Sequence, residues 1–257
     1  MDIKVIVAAH KNYRMPQDKC YLPVQVGAQG KADIGYTPDN TGDNISEKNP
    51  YFCELTGLYW AWKNLDAEYI GLAHYRRHFK GKNGGRDPFD KILNGKQMGK
   101  MLEKSDVILP VKRKYYIETL YSHYEHTMFV KPLDTAGEII KEKYPQYYAQ
   151  FENLKKRTSA HMFNMYIMKK DISDKYCEWL FDILFELEKR MQSENYDAFH
   201  ARFYGRVSEL LLDVYLMTNG IEYIECPLVF TEKINWFKKG GGFLKAKFLG
   251  KKYDKSF

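Results

Sequence analysis

The stretch Tyr69-Ile70-Gly71-Leu72-Ala73-His74-Tyr75-Arg76-Arg77-His78-Phe79 decides how this chain is read. Its first five residues are a short apolar run and read as a buried strand. A dense basic and aromatic cluster follows at once, so His74, Tyr75, Arg76, Arg77 and His78 sit at that strand's carboxyl end. In an open α/β sheet the carboxyl ends of the strands are where ligands bind. A guanidinium is planar, and its fork of N–H groups matches phosphate oxygens. The two adjacent arginines therefore read as a candidate diphosphate clamp. On the local sequence alone, a basic strand end that is solvated or paired with acidic neighbours stands beside that reading.

Working outward, residues 3–9 form another continuous apolar run rich in β-branched side chains, expected as a central parallel strand. His10, Lys11, Asn12 and Tyr13 would form the loop at its carboxyl end. Asn49-Pro50 has the form of a helix start, a side-chain cap followed by proline. Phe52, Leu55, Tyr59 and Trp62 then recur at helical spacing, so one amphipathic helix over 50–63 is expected to feed the strand at 69–73. Strand, helix and strand make a β-α-β unit. Further strands are expected at 106–110 and 162–168, the second interrupted by Asn164. Long helices are expected around 176–191 and 207–219, with edge strands about Pro227. The stretch 115–156 reads as helical and polar, an insertion over the ligand face of the sheet. The turn formers at 39–44 only faintly resemble a calcium loop and lack its spacing.

Composition bounds the function classes. The chain has 257 residues, 44% of them apolar, enough for one large domain with a full core. No apolar run reaches about 18 residues and no leader-like segment opens the chain, so a cytoplasmic protein is expected. Cys20, Cys53, Cys177 and Cys226 are scattered without a CxxC pair, which removes a zinc signature and leaves reduced, buried roles. The net charge of +7 fits nucleic acid, an anionic membrane or an anionic small ligand without choosing among them. No GxSxG, HExxH, Walker loop or GxGxxG occurs, so the corresponding hydrolase, protease, P-loop and dinucleotide chemistries lack their parts. A sheet with phosphate-clamping arginines is what remains, and a nucleotide or nucleotide-linked group is its natural ligand.

Glu209 is the carboxylate singled out in the second half. In FYGRVSELLLDVYL it is read in the first turn of an apolar helix just after Gly205-Arg206, where it could take a proton from a hydroxyl nucleophile. A glutamate at a helix start also compensates the helix dipole, and the sequence leaves both roles open.

The strings TGDNISEKNPYFCELTGLYWAWKN, YIGLAHYRRHF, HMFNMYIMKK and GRVSELLL together resemble the motif set of a bacterial family of polysaccharide glycosyltransferases. That family was long catalogued as a domain of unknown function and is found with capsule, exopolysaccharide and O-antigen synthesis; members with assigned activity are galactofuranosyltransferases. The resemblance runs from Ile3 to about Val229. It implies an α/β, GT-A-type single Rossmann-like domain over 1–234, with a mixed, mostly parallel central sheet flanked by helices. It implies transfer of galactofuranose from UDP-galactofuranose, or of another hexose by the same machinery, to a hydroxyl of a polyprenyl-diphosphate-linked saccharide. Most GT-A enzymes end the strand equivalent to 69–73 in an Asp-x-Asp pair that holds a divalent metal. Here His74-Tyr75-Arg76 stands in that place, so the resemblance implies an enzyme without a metal cofactor, its diphosphate held by His74, Arg76 and Arg77. A metal role for His74 with a carboxylate from elsewhere stays open. Glu209 becomes the general base of an inverting displacement. Arg206 would orient the acceptor or the phosphates, His10, Lys11, Asp43 and Asn44 would surround the nucleotide and donor sugar, and Asn164 would lie near that sugar.

Residues 235–257 alternate Trp236, Phe237, Phe243, Leu244, Phe248 and Leu249 with seven lysines, Lys238 to Lys255. Such a tail suits docking on an anionic inner leaflet, although three glycines at 240–242 break any long helix. Peripheral membrane association is therefore expected. The rival reading, a single-strand nucleic-acid module, has scattered basic runs but no fold signature, and no nucleic acid is expected as a partner.

Overall fold

A computed structural model describes residues 1–232; the aromatic and basic tail at 235–257 lies outside the described residues. The chain opens with β1 (Ile3–Ala9), β2 (Tyr21–Gln25) and the two-residue β3 (Thr37–Pro38). A helical corner, α1 (Asn49–Phe52) and α2 (Leu55–Asn64), leads into β4 (Tyr69–His74) and β5 (Arg77–Phe79). Then come α3 (Gly95–Leu102), β6 (Val107–Pro110) and β7 (Arg113–Lys114). Three helices follow, α4 (Leu120–Thr127), α5 (Lys131–Lys143) and α6 (Pro145–Lys156), and β8 (Ser159–Ala160) returns to pair with β7. The last described elements are β9 (Tyr166–Lys169), α7 (Lys170–Met191), α8 (Phe203–Thr218), β10 (Ile224–Cys226) and β11 (Leu228–Phe230).

The strand order is β10-β6-β9-β4-β1-β2-β3, with β5 joining β4 to β11. The β3, β2, β1 and β4 neighbours run parallel, as do β6 and β10, while β9 lies antiparallel between β4 and β6. The mixed, mostly parallel sheet flanked by helices expected for the chain is what is found. Side-chain alternation along the strands builds two cores. Ile6, Ile70, Leu72, Tyr166 and Met168 face the layer made by α2, α7 and α8. Val5, Val7, Tyr69, Ala73 and Ile167 face the thinner layer that holds α3. Each fully buried Ile, Leu or Val contributes roughly 1.5–3 kcal/mol, so the inner strands hold the sheet firmly under its carboxyl edge. Gly71 serves this packing directly: a Cβ there would lie 2.7 Å from the Tyr166 carbonyl oxygen of β9.

Four local expectations are corrected. The helix over 50–63 is broken, because Cys53 takes a φ of +53° and separates α1 from α2. Asn49 does not cap; it is the first residue of α1, and its Nδ2 donates to the Cys53 carbonyl at 2.8 Å and to Thr56 Oγ1 at 3.2 Å, stitching the break. The strand at 162–168 shortens to β9, because Phe163 and Asn164 adopt φ values of +78° and +54° and turn the chain into a corner. Finally, α8 begins at Phe203, a turn earlier than its apolar spacing indicated, so Glu209 lies in its second turn. Dipole compensation fades beyond the first turn, so it does not account for this glutamate.

Residues 115–156 supply α4, α5 and α6. Their buried side chains, Tyr124, Leu133, Ile140 and Phe151 among them, belong to the same core as α7 and α8. Among the described residues no helix is long and apolar enough to cross a membrane.

Candidate active site

The basic cluster after β4 is a hairpin. His74 pairs with Arg77, leaving only Tyr75 and Arg76 to make the turn, and this separates the two adjacent arginines. Arg76 sits at the tip, its guanidinium 4.8 Å from the centre of the Tyr75 ring, donating to the Tyr75 hydroxyl and lying 3.5 Å from Glu232. Tyr75 in turn stacks on Tyr13 at 3.8 Å and meets the edge of His10 at 5.4 Å. Lys11 lies 5.1 Å from the Tyr13 ring centre. Partial burial, and then the charges of Lys11, Arg76, Lys31 and Arg202, push the His10 imidazole below its ordinary value. Cations from four segments thus share one field at the carboxyl end of β1 and β4, which is where an anionic ligand gains most.

Arg77 folds back the other way. Its guanidinium lies over the Phe163 ring at 4.5 Å. Burial draws its pKa down while the carboxylates of Glu209 and Glu54 oppose the shift. An arginine remains charged under any such shift, so Arg77 is a fixed cation at the floor of the site.

Phe163 and Asn164 form the corner on which this floor is built. Two consecutive left-handed residues that are not glycine cost roughly 1–3 kcal/mol each, and the surrounding bonds hold them there. The Phe163 carbonyl accepts from His74 Nε2 at 2.7 Å. Asn164 is 2% exposed, and its Nδ2 donates to Glu54 Oε1 at 2.8 Å and to the Gly205 carbonyl at 3.1 Å. The end of β4, the start of α2 and the first turn of α8 are therefore tied to one point. Burial lowers the His74 pKa, and Arg77 adds to the effect against the pull of Glu54.

Glu209 is 6% exposed. Among the described residues it accepts no hydrogen bond, and its Oε1 lies 3.6 Å from Nη1 of Arg206, one helical turn before it. Burial raises its pKa; Arg206, Arg77 and Arg113 oppose the rise, and the negative charge of Glu54 adds to it. Glu54 behaves in the opposite way. Burial would raise its carboxyl, but His74, the Asn164 hydrogen bond and Arg206 bring it below the ordinary value. Two neighbouring carboxylates whose pKa values are pushed apart are the arrangement that lets one stay ionised while the other exchanges a proton.

The hairpin and the corner thus bring His74, Arg77, Asn164, Arg206 and Glu209 together, with His10, Lys11 and Arg76 on the adjacent rim. Asp43 and Asn44 stand elsewhere. Asp43 exchanges backbone hydrogen bonds with the Asn64 side chain at the far end of α2, about 15 Å along the helix from Glu54, and Asn44 closes a local turn on Gly42 and Ser46. Sequence reasoning passed over Glu54, Phe163, Tyr13 and Arg202. Glu54 lies between Phe52 and Leu55 in a stretch read only for its helical period, and a charge between buried apolar residues was the available signal. Arg202 Nε donates to Cys53 Sγ at 2.9 Å, across the break between α1 and α2. No group of three His, Cys, Asp or Glu side chains able to hold a metal gathers among the described residues.

Residues 4–220 match the model of a family described as Domain of unknown function (DUF4422). The chain belongs to that family. It is also similar to a solved structure titled WbbM bifunctional glycosyltransferase, in its apo form, with 30% identity and a TM-score of 0.83 over 91% of this chain. The chain spans 46% of that protein, less than half its length. No curated protein matches the chain in sequence. The fold is therefore that of a GT-A-like glycosyltransferase domain, and the charged floor just described occupies the carboxyl edge of its sheet.

Proposed function

We propose that the protein is a glycosyltransferase of cell-surface polysaccharide synthesis that moves a hexose from a nucleotide sugar to a saccharide hydroxyl. UDP-galactofuranose is the first donor to test, UDP-galactose and UDP-glucose the next, and a polyprenyl-diphosphate-linked oligosaccharide is the acceptor. The observation that carries this reading is the division of charge at the sheet edge: a cationic rim beside a buried carboxylate whose proton affinity is raised. The first suits a diphosphate; the second suits a base that must accept a proton near neutral pH.

In this mechanism the donor diphosphate lies against the rim, with Arg76 and its neighbours Lys11, Lys31 and Arg202. Arg77 faces the bond that breaks. Glu209 removes the proton from the acceptor hydroxyl as that oxygen attacks the anomeric carbon. The new C–O bond forms as the bond from that carbon to the diphosphate oxygen breaks, and the electron pair leaves with the nucleoside diphosphate. A single displacement inverts the anomeric configuration. Arg206 holds Glu209 in place while the carboxylate takes up the proton. The arginines supply the positive charge that meets the leaving group, so a divalent cation is not required in this scheme.

Calorimetric titration with uridine diphosphate, in EDTA and again with manganese, tests the binding half of the proposal. Saturable binding in EDTA is expected. Binding only with manganese would return the leaving group to a metal, and absence of binding in both would remove the nucleotide-sugar reading.

A further inference from the structure

We propose that Glu54 is a second acidic residue of the reaction, a positioning carboxylate that fixes the start of α8 through Asn164 and holds a negative charge against the first turn of the helix that carries Glu209. This rests on Glu209 being the general base proposed above. The geometry is a chain of three contacts. Glu54 Oε1 accepts from Asn164 Nδ2, the same Nδ2 donates to the Gly205 carbonyl, and Gly205 stands directly before Arg206 and four residues before Glu209. Both amide hydrogens of Asn164 are therefore committed, and the orientation of the amide is settled by two acceptors. The break at Cys53 is what brings Glu54 to this place. In the continuous helix expected from the apolar spacing, the residue would continue the surface of a single cylinder; the φ of +53° turns it into the corner instead.

Among the described residues, charged and titratable groups from five elements act on Glu209 electrostatically. Arg206 comes from α8 itself, Arg77 from β5, Arg113 from β7, Tyr124 from α4, and Glu54 from the start of α2. Glu54 is the one negative charge in this set. Burial is the first cause of the raised Glu209 pKa; the three arginines oppose it, and the charge of Glu54 acts with the burial. A fixed negative neighbour thus adds basicity to the residue that must accept the proton.

The test substitutes Glu54→Gln, which keeps an oxygen to accept from Asn164 and removes the charge. Two readouts separate the inference from the enzyme proposal. Carboxyl-carbon NMR of the whole protein labelled at glutamate, with Glu209→Gln used for assignment, follows the titration of Glu209 whether or not turnover is seen. The midpoint is expected to fall in Glu54→Gln by about half to one unit. In a transfer assay, kcat is expected to drop roughly tenfold with donor KM held within about twofold, and the acid limb of the kcat profile to move to lower pH. Glu54→Ala, which also releases Asn164, should lose more. An unchanged Glu209 midpoint in correctly folded Glu54→Gln overturns the inference even if the enzyme is active. A shifted midpoint in a protein that transfers no sugar upholds the carboxylate coupling and overturns the enzyme reading instead.

Discussion

Asp39 and Glu209 are both buried carboxylates, and they live in opposite ways. Asp39 is fully buried and saturated: it accepts from the backbone of Gly27 at 2.8 Å and Ala28 at 2.9 Å, from Thr56 Oγ1 at 2.6 Å, and from Ser46 Oγ. Those bonds close the loop after β2 onto α2. Glu209 is nearly as buried and, among the described residues, receives no hydrogen bond; it has the Arg206 guanidinium at 3.6 Å and the charges of Arg77, Arg113 and Glu54. A buried carboxylate with every lone pair answered is a structural device, while one left to charges alone remains free to change its proton. The turn formers at 39–44 therefore find their explanation in folding. The glutamate in the second turn of α8 finds none there.

Substitutions that remove the carboxylate should separate the two by kind of effect. Glu209→Gln should lower turnover by about 10³-fold or more with donor binding retained, because the amide cannot take the proton. Comparable turnover in the variant would erase the contrast. Asp39→Asn should instead cost about 3 kcal/mol of stability in a denaturant titration, since an amide cannot satisfy four donors, with activity per folded molecule preserved. The adjacent arginines sharpen the same distinction between floor and rim. Arg77→Ala should lower kcat by roughly 10²-fold, whereas Arg76→Ala should raise donor KM about tenfold and leave kcat largely in place. Identical effects from the two would mean that the hairpin does not divide their roles.

The smallest effect carries a sign. Glu209 holds its proton more tightly folded than unfolded, so the stability associated with it is fully present below the ordinary glutamate value of 4.5 and is lost as pH rises through the raised folded value. Glu209→Gln should therefore melt at an equal or higher temperature than the wild type at pH 8, with the difference closing on acidification. Asp39→Asn should melt lower. Two destabilised variants at pH 8 would place Glu209 with the structural carboxylates.

The sequence carried the sheet more legibly than the site. β1 and β4 are apolar runs with one reading, and the long α7 announces itself through Tyr176, Leu180, Leu184, Leu187 and Met191. What escaped was backbone conformation that a residue name does not disclose. Cys53, Phe163 and Asn164 all take positive φ without being glycine, and these three residues create the corner that joins Glu54, His74 and Gly205. Periodicity carries Phe52 to Trp62 across the break as though it were absent. Arg76 and Arg77 look equivalent as neighbours, yet a two-residue turn sends one to the rim and the other to the floor. His74, Arg77, Arg206 and Glu209 are reached from residue type together with the family resemblance, while Glu54 requires the folded corner to be seen.

The most direct test of the central claim is a transfer assay in EDTA, with UDP-galactofuranose and a lipid-linked oligosaccharide acceptor, run on wild type and Glu209→Gln and read by the anomeric configuration of the product. A glycosylated product of inverted configuration is expected from the wild type and almost none from the variant. A retained configuration, or equal product from both proteins, would contradict that claim.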